Sequence, residues 1–360
     1  MAQTESEQTT PQEQPTKGIK GFLERHGKKL WWAHSIWALS WGIFFMSLGS
    51  EGMGYARWLL LFVCILWLVV VFFFRAVGVG GEQKRETKSQ KVRFYAMTYV
   101  MKNLYQSMLF FLLPLYYNSS TIGSSNFYFV VLLGVCAVLS TFDVIFDNYV
   151  MKWKWLSSLF YVITMFACLN VAVPAVMPTL SLRVNLILAA AISMVAFVLL
   201  HVPFKTLVSP KHSTPGAIAL LLWVILVYVM RNAIPPVPLH LSHASVGPAL
   251  EMGVMDGHLA MEITSLHTSR MNEDLYGITE VFVPGGVGDD LYHVWRHDGP
   301  TSGVYEAKET VRVPSPDGTI RLQSRLPTEQ LPEDRSGTWT LNVETPDGRL
   351  IGRSSFNVLP

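Results

Sequence analysis

The chain has 360 residues and a formal net charge of +2, with only 15% charged residues against about 25% in ordinary soluble domains. Residues 31–231 carry 14 basic and 5 acidic groups, whereas residues 232–360 carry 9 and 17. Two halves so unlike exclude a fully soluble enzyme, a disordered chain and a nucleic-acid binder with one large basic face. Cys64, Cys136 and Cys168 all fall in apolar runs, so a disulfide scaffold and a zinc spacing are excluded as well.

Residues 1–30 form a polar tail that turns basic after Ile19, with no apolar core of a cleavable signal peptide. Seven apolar runs follow, each near the 20 or so helical residues that cross a bilayer. They are Trp31–Gly49, Ala56–Phe74, Phe94–Tyr117, Phe127–Val150, Leu156–Val176, Leu182–Pro203 and Gly216–Arg231. This predicts an all-α transmembrane bundle of about seven helices over residues 31–231. With the N-terminus in the cytoplasm, the cytoplasmic segments hold 15 Lys and Arg and the opposite side holds Arg57, Arg183 and Arg231. That asymmetry places residues 232–360 outside the cytoplasm, next to an inner membrane.

The sequence Ile234-Pro235-Pro236-Val237-Pro238 ends the last helix, and residues 232–244 read as a proline-rich strap. From residue 245 to 360 apolar and polar positions alternate between turn signals. The expected strands are His258–Thr264, Ile278–Val283, Leu291–His297, Val304–Val311, Thr319–Leu326, Thr338–Glu344 and Leu350–Val358. Asp298-Gly299, Asp317-Gly318 and Asp347-Gly348 separate several of them. The expectation is a small all-β, Ig-like antiparallel sandwich, without the Cys–Trp–Cys pattern of true immunoglobulin domains.

The stretch from Tyr276 to Pro360 resembles a bacterial domain family of unknown function. The residues that carry the likeness are Tyr292-His293-Val294-Trp295-Arg296-His297-Asp298-Gly299, Arg321-Leu322-Gln323-Ser324-Arg325 and Gly337-Thr338-Trp339-Thr340-Leu341-Asn342-Val343. Asp347-Gly348-Arg349-Leu350 and Phe356-Asn357-Val358 continue it. The helical half resembles the multi-pass partner found before such domains. The resemblance implies an all-β envelope domain attached to membrane helices, and it implies no activity.

Polar side chains inside apolar runs need a partner or a task. Lys102, Asn103 and Gln106 lie in the third run, and Asp143 and Asp147 in the fourth. At 1.5 Å per residue, Lys102 is about 12 Å from Phe94 and Asp143 about 10 Å from Val150, so the depths match. A Lys102–Asp143 ion pair is expected, either as a lock between helices or as part of a substrate or proton site; the alternative is Lys102 snorkelling to the cytoplasmic surface. His293, Trp295 and His297 form a second candidate, a binding surface on the outer domain, but the favoured reading of Trp295 and Trp339 is that they fill the sandwich core. A metal shared by His293 and His297 is excluded on a regular strand, where residues four apart are about 13 Å apart.

No nucleophile elbow, zincin, phosphate-loop or kinase pattern is present, so no catalytic residue, metal or cofactor is assigned. The reading is an envelope protein whose helices anchor a β domain in the lipid bilayer, with an envelope protein or a glycan as partner. The rival is a transporter or lipid-modifying enzyme built on the polar groups of the third and fourth runs.

Overall fold

The computed structural model describes residues 88–142, 153–201, 210–248, 265–267, 274–283, 290–299, 303–307, 311–314 and 318–359. Isolated positions between 36 and 65, Phe146 and Val150 are also described. The first two predicted spans, Trp31–Gly49 and Ala56–Phe74, therefore lie largely outside the described residues.

Five long helices run through the described part of the first half. They are α1 (Lys88–Asn118), α2 (Phe127–Thr141), α3 (Lys154–Val176), α4 (Leu182–His201) and α5 (Pro210–Val229). Consecutive pairs α1/α2, α3/α4 and α4/α5 pack together, and α1 also meets α3. Short loops join α1 to α2 and α3 to α4, which makes those neighbours antiparallel. Apolar side chains fill the space between them, with Leu109, Leu112, Leu133, Ala167 and Ala189 all at 0% exposure. Helix α4 starts where Ser181 Oγ accepts the Val184 N–H at 3.3 Å, as an N-cap does.

These helices correct the expectation of about seven membrane spans. Among the described residues, two segments are long and apolar enough to cross a membrane, Trp155–Val176 and Leu182–Leu199. The reason is length and charge. Helix α2 stops at Thr141, where Phe142 turns extended, so the α-helix that opens the run expected to reach Val150 has 15 residues, and helical backbone is described again only at Phe146 and Val150. Helix α1 spans 31 residues, but Lys102, Asn103 and Gln106 interrupt its apolar part. The apolar part of α5, Thr214–Val229, is also short.

After α5 the chain makes a single 3-10 turn at Arg231–Ala233 and runs back against the bundle. Ile234 and Val237 are buried in the helical core at 5% and 1% exposure. Strand β1 (His240–Pro248) then opens the β region, starting inside the segment read as the strap. The others are β2 (Ser265–His267), β3 (Leu275–Phe282), β4 (Tyr292–Asp298), β5 (Gly303–Ala307), β6 (Val311–Pro314), β7 (Thr319–Leu326), β8 (Gly337–Glu344) and β9 (Leu350–Leu359).

They form a four-stranded sheet, β1-β3-β7-β6, and a five-stranded sheet, β2-β9-β8-β4-β5. The β domain expected from alternation is present, with two corrections. The pair β2–β9 is parallel, so the domain is not wholly antiparallel. The strand expected at Val304–Val311 is two strands, β5 and β6, which pair into different sheets. The strand expected at His258–Thr264 lies outside the described residues.

Side chains from both sheets meet in two buried clusters. One holds Val246, Leu275, Trp295, Leu326, Trp339, Leu341, Phe356 and Val358. The other holds Leu239, Val281, Val283, Leu291, Leu322, Val343 and Ile351, and adds Leu182 from the start of α4. Gly277 of β3 is required by this packing, because a Cβ there would lie 2.7 Å from Leu341 Cδ2 and 2.8 Å from Trp295 Cζ2.

Candidate functional site

The two candidate sites read from sequence take different places in the structure. On α1, Lys102 and Gln106 are buried at 3% and 2% exposure, one helical turn apart. The Lys102 ammonium lies 5.9 Å from the centre of the Tyr99 ring. Asn103 is half-buried and its Nδ2 donates to the Tyr99 carbonyl at 2.9 Å. Asp143 and Asp147 lie outside the described residues.

His293, Trp295 and His297 share one face of β4, as their spacing requires. That face points inward. Their exposures are 0%, 0% and 3%, which corrects the binding-surface alternative and agrees with the core reading of Trp295. Alternation along β4 has the period of a strand, but it does not say which face meets the opposite sheet.

His293 bridges the two sheets. Its Nε2 is 2.8 Å from Thr279 Oγ1 on β3 and its Nδ1 is 2.6 Å from Ser324 Oγ on β7. The Trp295 indole N–H donates to the same Ser324 oxygen at 3.2 Å. A neutral imidazole offers one donor and one acceptor, which suits two hydroxyl partners. Burial pushes the His293 ring down to about 3, because the charged form has no water around it. A hydroxyl beside an imidazole is the geometry of an activated nucleophile. Here Ser324 is 2% exposed, so no substrate reaches it and the group acts as a polar lock in the core.

His297 is held differently. Its ring stacks on Trp339 with centroids 4.5 Å apart, and its Nε2 lies 2.9 Å from the Ser336 carbonyl oxygen. The Trp339 indole N–H donates to the Arg335 carbonyl at 2.9 Å. Among the described residues, no group of three or more His, Cys, Asp or Glu side chains is placed to hold a metal ion.

The outward face of the five-stranded sheet is polar across three strands. Arg296 of β4 pairs with Glu344 of β8 at 3.0 Å. Asn342 Nδ2 donates to the same Glu344 carboxylate at 2.8 Å, and Arg353 Nε of β9 donates to Asn342 Oδ1 at 2.9 Å. Thr338 Oγ1 donates to Asn357 Oδ1 at 3.0 Å further along. Register places Asn342 opposite Arg353 and Thr338 opposite Asn357, whereas Arg296 stands opposite Thr340 and reaches along the strand to Glu344.

The other polar concentration is where the sheets meet the helices. The turn between β8 and β9 carries Arg349, which is 2% exposed. Its Nη1 donates to the Leu182 carbonyl at 3.3 Å and its Nη2 to the Pro235 carbonyl at 3.5 Å. The next residue, Leu350, accepts the Asn126 Nδ2 at 3.1 Å. Ser125 Oγ in turn donates to the Asn232 carbonyl at 2.9 Å. Below this turn, Tyr116 donates to the Ala167 carbonyl at 3.0 Å, Asn170 Nδ2 donates to the Tyr116 oxygen at 3.1 Å, and Asn185 Nδ2 donates to the Asn170 carbonyl at 3.2 Å.

Sequence reasoning assigned no role to this junction. Asn126 sits where an N-cap is expected, yet it makes no cap bond to α2 and spends its amide on the sandwich. Arg349 follows an Asp-Gly turn, which ordinarily marks an exposed tip. Its one signal was its place among the residues that carry the family likeness.

The ends of α1, α3 and α5 and the starts of α2 and α4 all gather at this junction. The opposite end holds the starts of α1, α3 and α5, with Lys88, Lys91, Arg93, Lys154 and Lys211.

Comparison with curated proteins finds no match. Residues 288–358 are similar to the family described as Protein of unknown function (DUF2914). That boundary cuts the sandwich, since β1, β2 and β3 precede it. The remainder of the sandwich and the helices fall largely to a second match, which covers residues 17–276, and by this match over most of its length the chain belongs to the family of unknown function DUF5924.

Proposed function

We propose that this protein is an envelope component whose helices sit in the inner membrane and hold the β-sandwich on the non-cytoplasmic side. There the polar outer face of the five-stranded sheet binds a protein or polymer partner. The observation that carries the membrane reading is the helical surface. Tyr128, Val131, Leu132, Val135 and Val138 on α2 and Ile218, Leu221, Leu222, Ile225, Leu226 and Val229 on α5 are all 40–74% exposed. Soluble proteins rarely expose contiguous apolar faces of this extent, and lipid tails would cover them.

Aromatic residues support the same reading. Trp153, Trp155 and Tyr99 are exposed at the basic end, and Tyr117 and Tyr128 at the sandwich end. From Tyr99 to Tyr117 is about 27 Å of helix, and from Trp155 to Val176 about 32 Å, which matches a hydrocarbon core of about 30 Å. Aromatic rings at both ends of such a span favour the headgroup level. The basic starts of α1, α3 and α5 then face the cytoplasm.

The sheet face fits a partner because Arg296 and Asn357 are exposed on it, with Arg353 and Glu344 part-exposed beside them, all held over the buried Asn342. Such a lattice offers donors and acceptors to glycan hydroxyls or to a polar protein surface. The test compares survival under envelope stress for wild type, a chain lacking residues 240–360, and Arg296→Glu with Arg353→Glu, at matched protein levels. Loss in both variants supports the reading; full activity of the truncated chain contradicts it.

The burial of Lys102 beside Gln106 favours a second reading, in which the bundle itself transports or modifies a substrate. It predicts that Lys102→Ala with Asp143→Ala abolishes function while the sandwich variants retain it.

A further inference from the structure

The sandwich does not hang from the helices by its linker alone. The turn Thr345 to Arg349 and Leu350, which follows it, reach three separate helix ends. Arg349 holds the Leu182 carbonyl at the α3–α4 connection and the Pro235 carbonyl in the segment leaving α5. Leu350 accepts from Asn126 in the α1–α2 connection. Ser125 and Asn232 tie the α1–α2 connection to the segment leaving α5.

The turn is built to aim this side chain. Thr345 N–H donates to the Arg349 carbonyl at 3.0 Å, and Gly348 N–H to the Thr345 carbonyl at 2.9 Å. The Arg349 N–H donates to Thr345 Oγ1 at 3.1 Å. Gly348 takes φ +77°, a conformation other residues rarely adopt. A guanidinium is a rigid planar fork, so its two arms fix two acceptors relative to one another.

We infer that Arg349 is a coupling latch, through which a displacement of the sandwich is passed to the start of α4 and to the exit segment of α5 together. The same two strands carry both ends of the device. Glu344 of the polar sheet face immediately precedes Thr345, and Arg353 lies four residues after Arg349. A partner bound on that face therefore acts a few residues from the latch. The transmission of binding rests on the partner-binding reading above; the latch itself rests on geometry alone.

The experiment is amide hydrogen exchange by mass spectrometry on the full chain in lipid nanodiscs, with no partner added. Wild type is compared with Arg349→Met, Arg349→Lys and Asn126→Ala. Losing hydrogen bonds from a charged group lowers local opening free energies enough for exchange to quicken about tenfold. Arg349→Met is expected to do this at residues 177–186 and 232–239, while β4 and β8 keep their protection. Arg349→Lys, with a single ammonium, is expected to restore one of these two segments at most. Asn126→Ala is expected to quicken exchange around residues 119–127 only.

Unchanged exchange at 177–186 and 232–239 in Arg349→Met would overturn the latch. So would faster exchange across β4 and β8, which would make Arg349 a residue of sandwich folding. Full restoration of both segments by lysine would refute the two-armed fork. Because no partner is present, failure of the partner-binding reading leaves these outcomes intact.

Discussion

Arg349 Nη1 donates to the Leu182 carbonyl at 3.3 Å across 167 positions of sequence, and Leu182 itself lies in the lower core of the sandwich. Helix and sheet regions thus share one buried cluster. A boundary drawn by composition at the end of α5 separates charge and hydropathy, but it does not separate packing.

The first prediction concerns what folds alone. Residues 288–358 contain β4 to β9 but lack β3, the strand that joins β1 to β7 in the four-stranded sheet. Exposed ladder groups on β7 and an open core would remain. An isolated 288–358 fragment is expected to be unfolded or aggregated by circular dichroism and gel filtration. A fragment 232–360 is expected to hold its sheets, with a lower melting temperature than the same sheets in the full chain because Leu182 is missing.

A second prediction follows from His293. Its folded-state value is about 3, below the 6.5 or so of an unfolded histidine. The folded ring is neutral, so the unfolded state binds a proton first as the pH falls. The stabilisation is present above about pH 6.5 and is lost progressively down to about pH 3, on the order of 4–5 kcal/mol in all. Denaturation followed by tryptophan fluorescence is expected to show a slope of about 1.4 kcal/mol per pH unit in that window. His293→Gln is expected to be less stable at pH 7 and to flatten this slope. An unchanged slope would place the titration elsewhere.

Gly277 supplies a third. A methyl group at this position meets Leu341 and the Trp295 ring below 3 Å. Gly277→Ala is expected to destabilise the sandwich by about 1–3 kcal/mol, read as a lower melting temperature. Combining it with Leu341→Ala, which frees that space, is expected to cost less than the sum of the two single changes. Strict additivity would mean the two sites do not share the space.

The surface ion pairs should behave differently. Arg296 keeps 45% of its side chain exposed and Glu344 13%. An exposed pair contributes about 0–1 kcal/mol, so Arg296→Gln is expected to shift the melting temperature little. If the outer face binds a partner, the same substitution weakens retention of that partner markedly. A large stability loss with unchanged retention would make the array structural.

Much of the β region was legible in the sequence, for a local reason. Alternation in Thr338–Glu344 and Leu350–Val358 and the Asp347-Gly348 turn are period-2 and turn-chemistry signals that need no tertiary knowledge. Sheet partnership was not legible. Val304 and Val311 sit in one apolar-alternating stretch, yet β5 and β6 join opposite sheets, since the choice of neighbour depends on β4 and β7. The inward orientation of His293 and His297 was hidden for the same reason. Hydropathy found the apolar runs, but it does not register the break where Phe142 turns extended inside the fourth of them. The junction at Arg349 gave no pattern at all, being made by side chains far apart in sequence and aimed at backbone carbonyls.

The most direct test of the account is the sidedness of the two ends of the bundle in intact cells. Single cysteines are placed at Ser355 on the sandwich and at Lys88 at the start of α1, with Cys64, Cys136 and Cys168 replaced by alanine. A membrane-impermeant maleimide is then applied before and after permeabilising the inner membrane. The account predicts that Ser355→Cys labels before permeabilisation and Lys88→Cys only after it, in protein that stays with the membrane at alkaline pH. Labelling of both positions on the same side, or extraction of the protein by alkaline carbonate, would contradict it.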